Sequence, residues 1–411
     1  MREVISYTPG YIYLRKEKLL YAFEKFIGLD VLDLKIIELF ISSNPRNISS
    51  IAEKLGVSQQ TVSYRINRLD RLGVLDCRAE INYEKLGLEA YTLLVTGSLS
   101  EQNYIEAIIT PIPLWRYLIT LDGYMGHVFL VEYVLPPSGV EDLKMYFNWL
   151  LDRNEIGSFY LYKTTEFFST NINWDYYIKL AEKDKKDILD RFDWNQWLEN
   201  IQPSNKKFNF KDNIRFTMRD LLFLSFLEID ARMKLKDIAR KISDMLEINS
   251  DIRPWLSKRL RFYISNKVIS GYRSFLRPVN PKLGLPILLY ITFSSPEYLK
   301  GFLSSLSKLP YSSVYSILDD YLGMFVILYF PSMAFDKFRE CLMILSNKGI
   351  VRKTHFFIGS WNRIWKNVLV YKAYDGKNWL TDKDIFIEAY YRIKEDYKKH
   401  PDKYEPKGVS I

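Results

Sequence analysis

The phrase LDGYMG at 121–126 returns as LDDYLG at 318–323, and KLGL at 85–88 returns at 282–285, both 197 residues later. Upstream, DLKIIELF from Asp33 parallels DLLFLSFL from Asp220, and Ile51-Ala52 parallels Ile238-Ala239, both at offset 187. Arg65-Ile66 and Val74 match Arg259-Leu260 and Val268 at offset 194. An internal repeat constrains a fold more than any composition can, because each copy must be a unit that closes its own pattern. Ordered matches at near-constant spacing predict a tandem duplication of one two-part unit. The drift in offset places two insertions in the second copy, the larger near 243–250. At 411 residues the chain also exceeds one ordinary core.

In the first part of copy one, Leu32, Ile36, Leu39 and Phe40 recur at helical spacing. NISSIAEKLG predicts a short helix, capped by Asn47 or Ser49 and ended by Gly56. Over 57–73, VSQQTVSYRINRLDRLG predicts a third helix capped by Ser58, with Val62, Ile66 and Leu69 on its buried edge and Gly73 as its left-handed stop. VLDCRAEIN follows as an extended segment. Three short helices and a β wing describe a winged helix-turn-helix. With the apolar edge inward, Gln59, Gln60, Ser63, Tyr64, Asn67 and Arg68 project outward. Such a helix suits the major groove, where amides read adenine edges and arginines read guanine or phosphate.

SQQTVSYRINRLDRLGVL resembles the recognition helix of the leucine-responsive regulator (Lrp/AsnC) family. Ser58, Thr61, Val62, Arg65, Ile66, Leu69, Gly73 and Val74 carry the resemblance, and NYEKLGLEAY resembles that family's join to its sensing domain. The resemblance implies a transcription regulator contacting double-stranded DNA through Ser58, Gln59, Gln60, Thr61, Ser63, Tyr64, Arg65, Asn67 and Arg68.

Copy two keeps the three-helix pattern more loosely. EINSD replaces the tight turn, and Leu256, Leu260 and Tyr263 stand for Val62, Ile66 and Leu69. Residues 232–282 hold 13 Lys and Arg against 4 Asp and Glu, a surplus equal to the whole chain's +9, whereas residues 30–80 balance at 7 and 7. A concentrated positive field attracts phosphates with salt-dependent, largely sequence-independent affinity. Arg253, Lys258, Arg259, Arg261, Lys267 and Arg273 are the expected phosphate contacts. The expectation is a division of labour: copy one reads bases and copy two grips phosphate.

The second part of each copy reads β-α-β-β-α-β, the ferredoxin-like order. LDGYMG and LDDYLG join the second and third strands of each sheet. The family resemblance implies an amino-acid effector site at this hairpin, usually written Gly-x-x-Asp, which maps to Gly123, Tyr124 and Gly126, and to Asp320, Tyr321 and Gly323. Gly126 and Gly323 stand where the aspartate belongs, which weighs against amino-acid sensing and favours a pairing surface. With two of each part in one chain, an intramolecular pseudo-dimer is expected, as a monomer or a homodimer.

The expected fold class is α+β, with an N-terminal extension (1–29), winged helix-turn-helix one (30–80), ferredoxin-like domain one (81–170), a helical linker (171–213), winged helix-turn-helix two (214–280), ferredoxin-like domain two (281–360) and a C-terminal extension (361–411). Linker and extension are candidate sites for protein partners. The longest apolar run, MFVILYF at 324–330, is far short of the ~20 residues that span a bilayer, so no membrane contact and a cytoplasmic location are expected. The two cysteines, Cys77 and Cys341, form no CxxC motif, and His127, His355 and His400 have no partner at metal or triad spacing. No metal, no cofactor and no catalytic constellation is expected, and hence not an enzyme. The alternative to a regulator is a protein-interaction or chromatin-architectural scaffold without sequence-specific readout.

Overall fold

A computed structural model describes residues 11–13, 16–75, 77–97, 102–122, 126–165, 167–170, 172–182, 192–204, 214–273, 280, 282–311, 313–368 and 370–400. The chain opens with β1 (Tyr11–Tyr13) and α1 (Lys16–Ile27). Three helices, α2 (Val31–Ser42), α3 (Ile48–Leu55) and α4 (Gln59–Arg71), lead to β2 (Arg78–Ile81). The next run is β3 (Glu89–Gly97), α5 (Gln102–Ile108), β4 (Trp115–Asp122), β5 (His127–Leu135), α6 (Val140–Asp152) and β6 (Ser158–Thr164). After β7 (Phe168–Ser169), α7 (Trp174–Glu182) and α8 (Trp194–Glu199), three more helices follow: α9 (Met218–Ile229), α10 (Leu235–Met245) and α11 (Arg253–Ser265). The chain then forms β8 (Ile269–Arg273), β9 (Gly284–Phe293), α12 (Pro296–Leu306), β10 (Ser313–Ile317), β11 (Gly323–Pro331), α13 (Ser332–Asn347), β12 (Val351–Asn367) and α14 (Lys383–Lys399).

Side-chain caps set the helix starts, satisfying amides that have no partner inside the helix. Asp30 accepts from the Asp33 amide and Asp33 reaches back to Asp30, closing a capping box on α2. Thr217 and Asp220 repeat that box on α9, 187 residues later. Asn47 caps α3 and Ser58 caps α4, while Gly56 ends α3 in the left-handed region at φ 64°. Val62, Ile66 and Leu69 are buried, as their spacing predicts. On α2 the buried stripe includes Leu34 and Ile37 with Ile36 and Phe40, while Leu32 and Leu39 are only partly covered.

The main sheet has ten strands in the order β6-β3-β5-β4-β12-β9-β11-β10-β7, with β1 paired to β12. Strands β4 and β12 pair antiparallel at the centre. The chain leaving β6 crosses to the far edge, where Thr164 bridges Leu318 and β7 pairs with β10. The two edges therefore meet, and the sheet closes into a barrel. Its interior is filled from both sides of the β4–β12 seam, by Ile119, Leu130, Leu288, Phe325 and Ile327. Alternation along each strand puts the other face against helices. There α5 and α6 lie on one half, and α12 and α13 on the other. A second, two-stranded ribbon joins β2 to β8, with Arg78 opposite Arg273 and Glu80 opposite Gly271.

A boundary at 360/361 would cut β12, which runs unbroken from Val351 to Asn367 across the seam. The segment beyond it is no loose tail, because α14 buries Phe386, Ala389, Tyr390 and Ile393 and stacks Phe386 on Tyr146 of α6. In the connecting segment, Trp197 is buried against Phe302 and Phe338 and donates to the Ser305 carbonyl at 2.9 Å.

Candidate functional site

The α4 face is divided by a salt-bridge network. Arg65 donates to Asp30 and Asp33 of α2, and Arg68 donates to Asp33 at 2.9 Å. Asp33 is fully buried, so both guanidiniums are held against the domain. Burial acts against the Asp30 carboxylate, yet the Arg65 bond and the Asp33 amide hold its pKa below the usual range. Ser58 and Thr61 spend their hydroxyls on each other and on the helix start. Of the residues expected at a duplex, Ser58, Thr61, Arg65 and Arg68 are thus also engaged by local capping and helix stapling. Gln59, Gln60, Tyr64 and Asn67 are exposed and Ser63 is half-buried, leaving a polar strip along the outer edge of α4. Tyr64 is 65% exposed, high for so large a ring.

On α11 the same division appears. Arg259 pairs with Asp220 of α9 and donates to the Arg215 carbonyl, the counterpart of the Arg65–Asp33 staple. Arg253, Lys258, Arg261 and Lys267 are exposed, although Arg253 is paired with Asp251 at 2.8 Å. Arg273 is buried and turned inward, so it is no surface phosphate contact.

Gly123 and Tyr124 lie outside the described residues. A Cβ on Gly126 would lie 2.6 Å from the Gly97 carbonyl, and one on Gly323 would lie 2.6 Å from the Leu318 side chain. Asp320 accepts from the Leu322 amide, and Tyr321 sits at φ 54°. These contacts close the second hairpin on itself.

Arg273 leads to a site that the motif reading missed. At one mouth of the barrel, under the β2–β8 ribbon, a cavity of about 10 Å3 is lined by Glu80, Arg116, Tyr117, Glu132, Glu228 and Arg273. That room is roughly what one water needs. A bulge in the β4–β5 ladder between Trp115 and Tyr117 displaces Arg116 from the strand alternation. Arg116 then forms a two-pronged pair with Glu228 of α9, donates to the Asn367 carbonyl at 2.6 Å, and stacks 4.3 Å over the Tyr83 ring. Tyr83 donates to Glu228 at 2.7 Å, and the Lys366 amine lies 3.4 Å from the same carboxylate. Burial alone would ease a proton off Arg116, but Glu228 outweighs it and raises the pKa. Arg273 donates to the Tyr117 hydroxyl at 2.7 Å and lies 3.6 Å from Glu80. Glu132 accepts from the Phe167 amide, and its burial pushes the carboxyl up to about 7 despite Arg116 and Arg273 nearby.

The other half of the barrel does not repeat this polar pair. At offset 197, Tyr117 corresponds to Val314, whose ladder partner is Ile327, where Tyr117 pairs with Glu132. The available signal was a charge inside an apolar run, in LWRYLITL, HVFLVEYV, LSFLEID and NRIWKNVL. Such charges are rarely buried unless paired.

The arrangement defines a mixed α+β protein with an N-terminal helix-turn-helix head and a closed barrel. Residues 29–70 match the AsnC-type helix-turn-helix domain. The chain is 37% identical over 83 residues to an uncharacterised HTH-type transcriptional regulator, PF1734, of Pyrococcus furiosus. That match spans 20% of this chain and 56% of the relative, so the chain covers about half the length of the curated relative it resembles. These similarities support the Lrp/AsnC family and a DNA-binding regulator. The fold as a whole is similar to that of the siroheme decarboxylase NirDL, with a TM-score of 0.53 and 9% identity, covering 88% of this chain and 99% of that one. The same enzyme in complex with an iron-uroporphyrin III analogue gives 0.52. That likeness overturns the expectation that the chain is not an enzyme: over most of its length it has a fold on which an enzyme is built. Among the described residues, no helix is long and apolar enough to cross a membrane, and no group of His, Cys, Asp and Glu could hold a metal ion.

Proposed function

We propose that the chain is a transcription regulator that binds double-stranded DNA as a fused Lrp/AsnC-type pair. The observation that carries this reading is the exposed strip of Gln59, Gln60, Ser63, Tyr64 and Asn67 on the third helix of a matched AsnC-type domain. Copy one reads base edges through that strip. Copy two, 187 to 197 residues on, grips phosphate through Arg253, Lys258, Arg261 and Lys267. Support for the pair comes from the repeated capping boxes, from the repeated Arg–Asp staple, and from the matching strand orders β6-β3-β5-β4 and β12-β9-β11-β10. The copies are free to diverge, so a site without strict twofold symmetry is expected. Footprinting over the chain's own promoter region tests the reading. Protection there that survives competitor DNA at raised salt supports it; uniform protection of any duplex points instead to an architectural role.

A second reading is favoured by the NirDL-like fold: the barrel carries an activity of its own. NirDL is a siroheme decarboxylase. In this chain the mouth offers buried cations beside a carboxyl of raised pKa, with room for about one water. Incubation with siroheme, followed by mass spectrometry for loss of carbon dioxide, decides that reading directly.

A further inference from the structure

The strands that follow the two third helices are exchanged between the heads. β2 follows α4 and β8 follows α11, yet each pairs with the other, in a sheet of two strands only. β2 packs on α9, the first helix of the second head, and β8 packs on α2, the first helix of the first head. Main-chain bonds flank the ribbon: Asn82 donates to the Val268 carbonyl at 2.8 Å, and Ala231 donates to the Cys77 carbonyl at 2.9 Å. The turns after α2 and α9 meet as well. Arg46 of the first head donates to the Met233 carbonyl of the second at 2.6 Å. Arg232 of the second lies 3.4 Å from Asp70 of the first and 5.6 Å from the centre of the Phe40 ring. Beneath these contacts, Phe40, Ile66 and Ala79 share one buried core with Leu224, Tyr263 and Ile269. A two-stranded ribbon is marginal on its own, but helices of both heads back this one. Domains joined by a small polar interface move against each other; a shared apolar core removes that freedom.

We propose that the two heads make one rigid duplex-binding surface, in which the exchanged strands hold α4 and α11 at a fixed separation, so that it accepts two half-sites at one spacing only. The duplex part of this inference rests on the regulator reading; the rigid joint does not. Arg78, Ala79, Ile81, Ile269 and Arg273 are buried, so the ribbon is spent on the joint and contact with DNA falls to the helices. Gln60 and Tyr64 of α4 and Lys258 and Arg261 of α11 remain exposed for it. Heads on flexible tethers tolerate an added full turn of DNA, because the second half-site returns to the same face of the duplex. A rigid pair does not, because the distance must fit as well as the face.

Pulsed electron paramagnetic resonance on the full chain, spin-labelled at Glu53→Cys of α3 and Arg240→Cys of α10, tests the joint. Both positions are exposed and outside the proposed contacts, and the native Cys77 and Cys341 are buried away from the label. One narrow distance is expected, the same with and without the footprinted promoter duplex. A broad or two-peaked distribution, or a shift on binding, overturns the joint. The same duplex with about 5 or about 10 base pairs inserted between its two protected halves tests the spacing. Both insertions should weaken binding by on the order of a hundredfold; full affinity with the full-turn insertion overturns the fixed spacing. Should the labelled variant fail to fold, hydrogen exchange of the unlabelled chain decides. Amides of β2 and β8 as protected as those of the β4–β12 seam support the joint, and early exchange there overturns it. A narrow distance in a chain that binds no duplex keeps the rigid joint and overturns the regulator reading; duplex binding with a broad distance does the reverse.

Discussion

Arg65 of α4 donates to the buried Asp33 carboxylate of α2 at 3.0 Å. Asp33 is also the N3 residue of the capping box that starts α2, so one carboxylate fixes both a helix end and the angle between two helices. Arg259 and Asp220 repeat the arrangement in the second head. Removing one partner of a buried pair typically costs about 3–5 kcal/mol. Here Arg68 still holds Asp33 and Arg65 is a quarter exposed, so Arg65→Ala should lower stability by about 2 kcal/mol. Urea unfolding checks this. A loss under about 0.5 kcal/mol together with altered site selection would return Arg65 to the DNA-reading set.

On the proposed DNA-binding reading, α4 and α11 should respond differently to substitution. Gln60→Ala should weaken the preferred duplex by about 1–3 kcal/mol relative to a random one and leave the salt dependence unchanged. Lys258→Ala and Arg261→Ala should weaken all duplexes alike, each reducing the slope of log K against log salt by about 1. Fluorescence anisotropy over a salt series separates the two. An unchanged slope in both basic variants sinks the phosphate-gripping role.

The head was legible because its signals are local. Ser58, Gly56, Gly73 and the Val62, Ile66, Leu69 edge lie within one short stretch and each has a single physical meaning. The mouth was not, because it joins residues as far apart as Glu80, Arg116, Glu228 and Lys366, which only the closed sheet brings together. Charge counting located the basic second head but could not say that Arg273 turns inward, since a β ladder decides which way each residue faces. The same holds for Arg65: a helical wheel places it one turn from Arg68, and only the packing of α2 reveals their shared partner, Asp33.

Glu132 makes the stability of the fold depend on pH. Its carboxyl is pushed from 4.5 to about 7 by burial. Between those values the folded chain keeps a proton that the unfolded chain has lost, so this group's contribution falls as pH rises and levels off above about 7. Glu132→Gln removes the dependence. Relative to wild type, the variant should gain stability through that window, by up to about 3 kcal/mol at its top. Glu84, also raised to about 7 by burial, titrates in both proteins and cancels in the difference. Urea midpoints across the pH range test it; a constant difference would mean that Glu132 titrates normally.

Gly73 at φ 65° and Lys267 at φ 56° end the third helix of each head at equivalent places, 194 residues apart. Left-handed backbone is open to glycine and strained for lysine. The second head therefore carries a cost that the first avoids, at a residue exposed beside the basic helix. Lys267→Gly should stabilise the protein by about 1 kcal/mol, and Gly73→Ala should destabilise it by a similar amount. If Lys267 also contacts phosphate, the stabilised Lys267→Gly variant should bind every duplex more weakly and lose about 1 from its salt slope. Stability gained with full DNA affinity would mean that the strain serves no grip on DNA; stability lost would mean that the lysine is held there by contacts stronger than the strain.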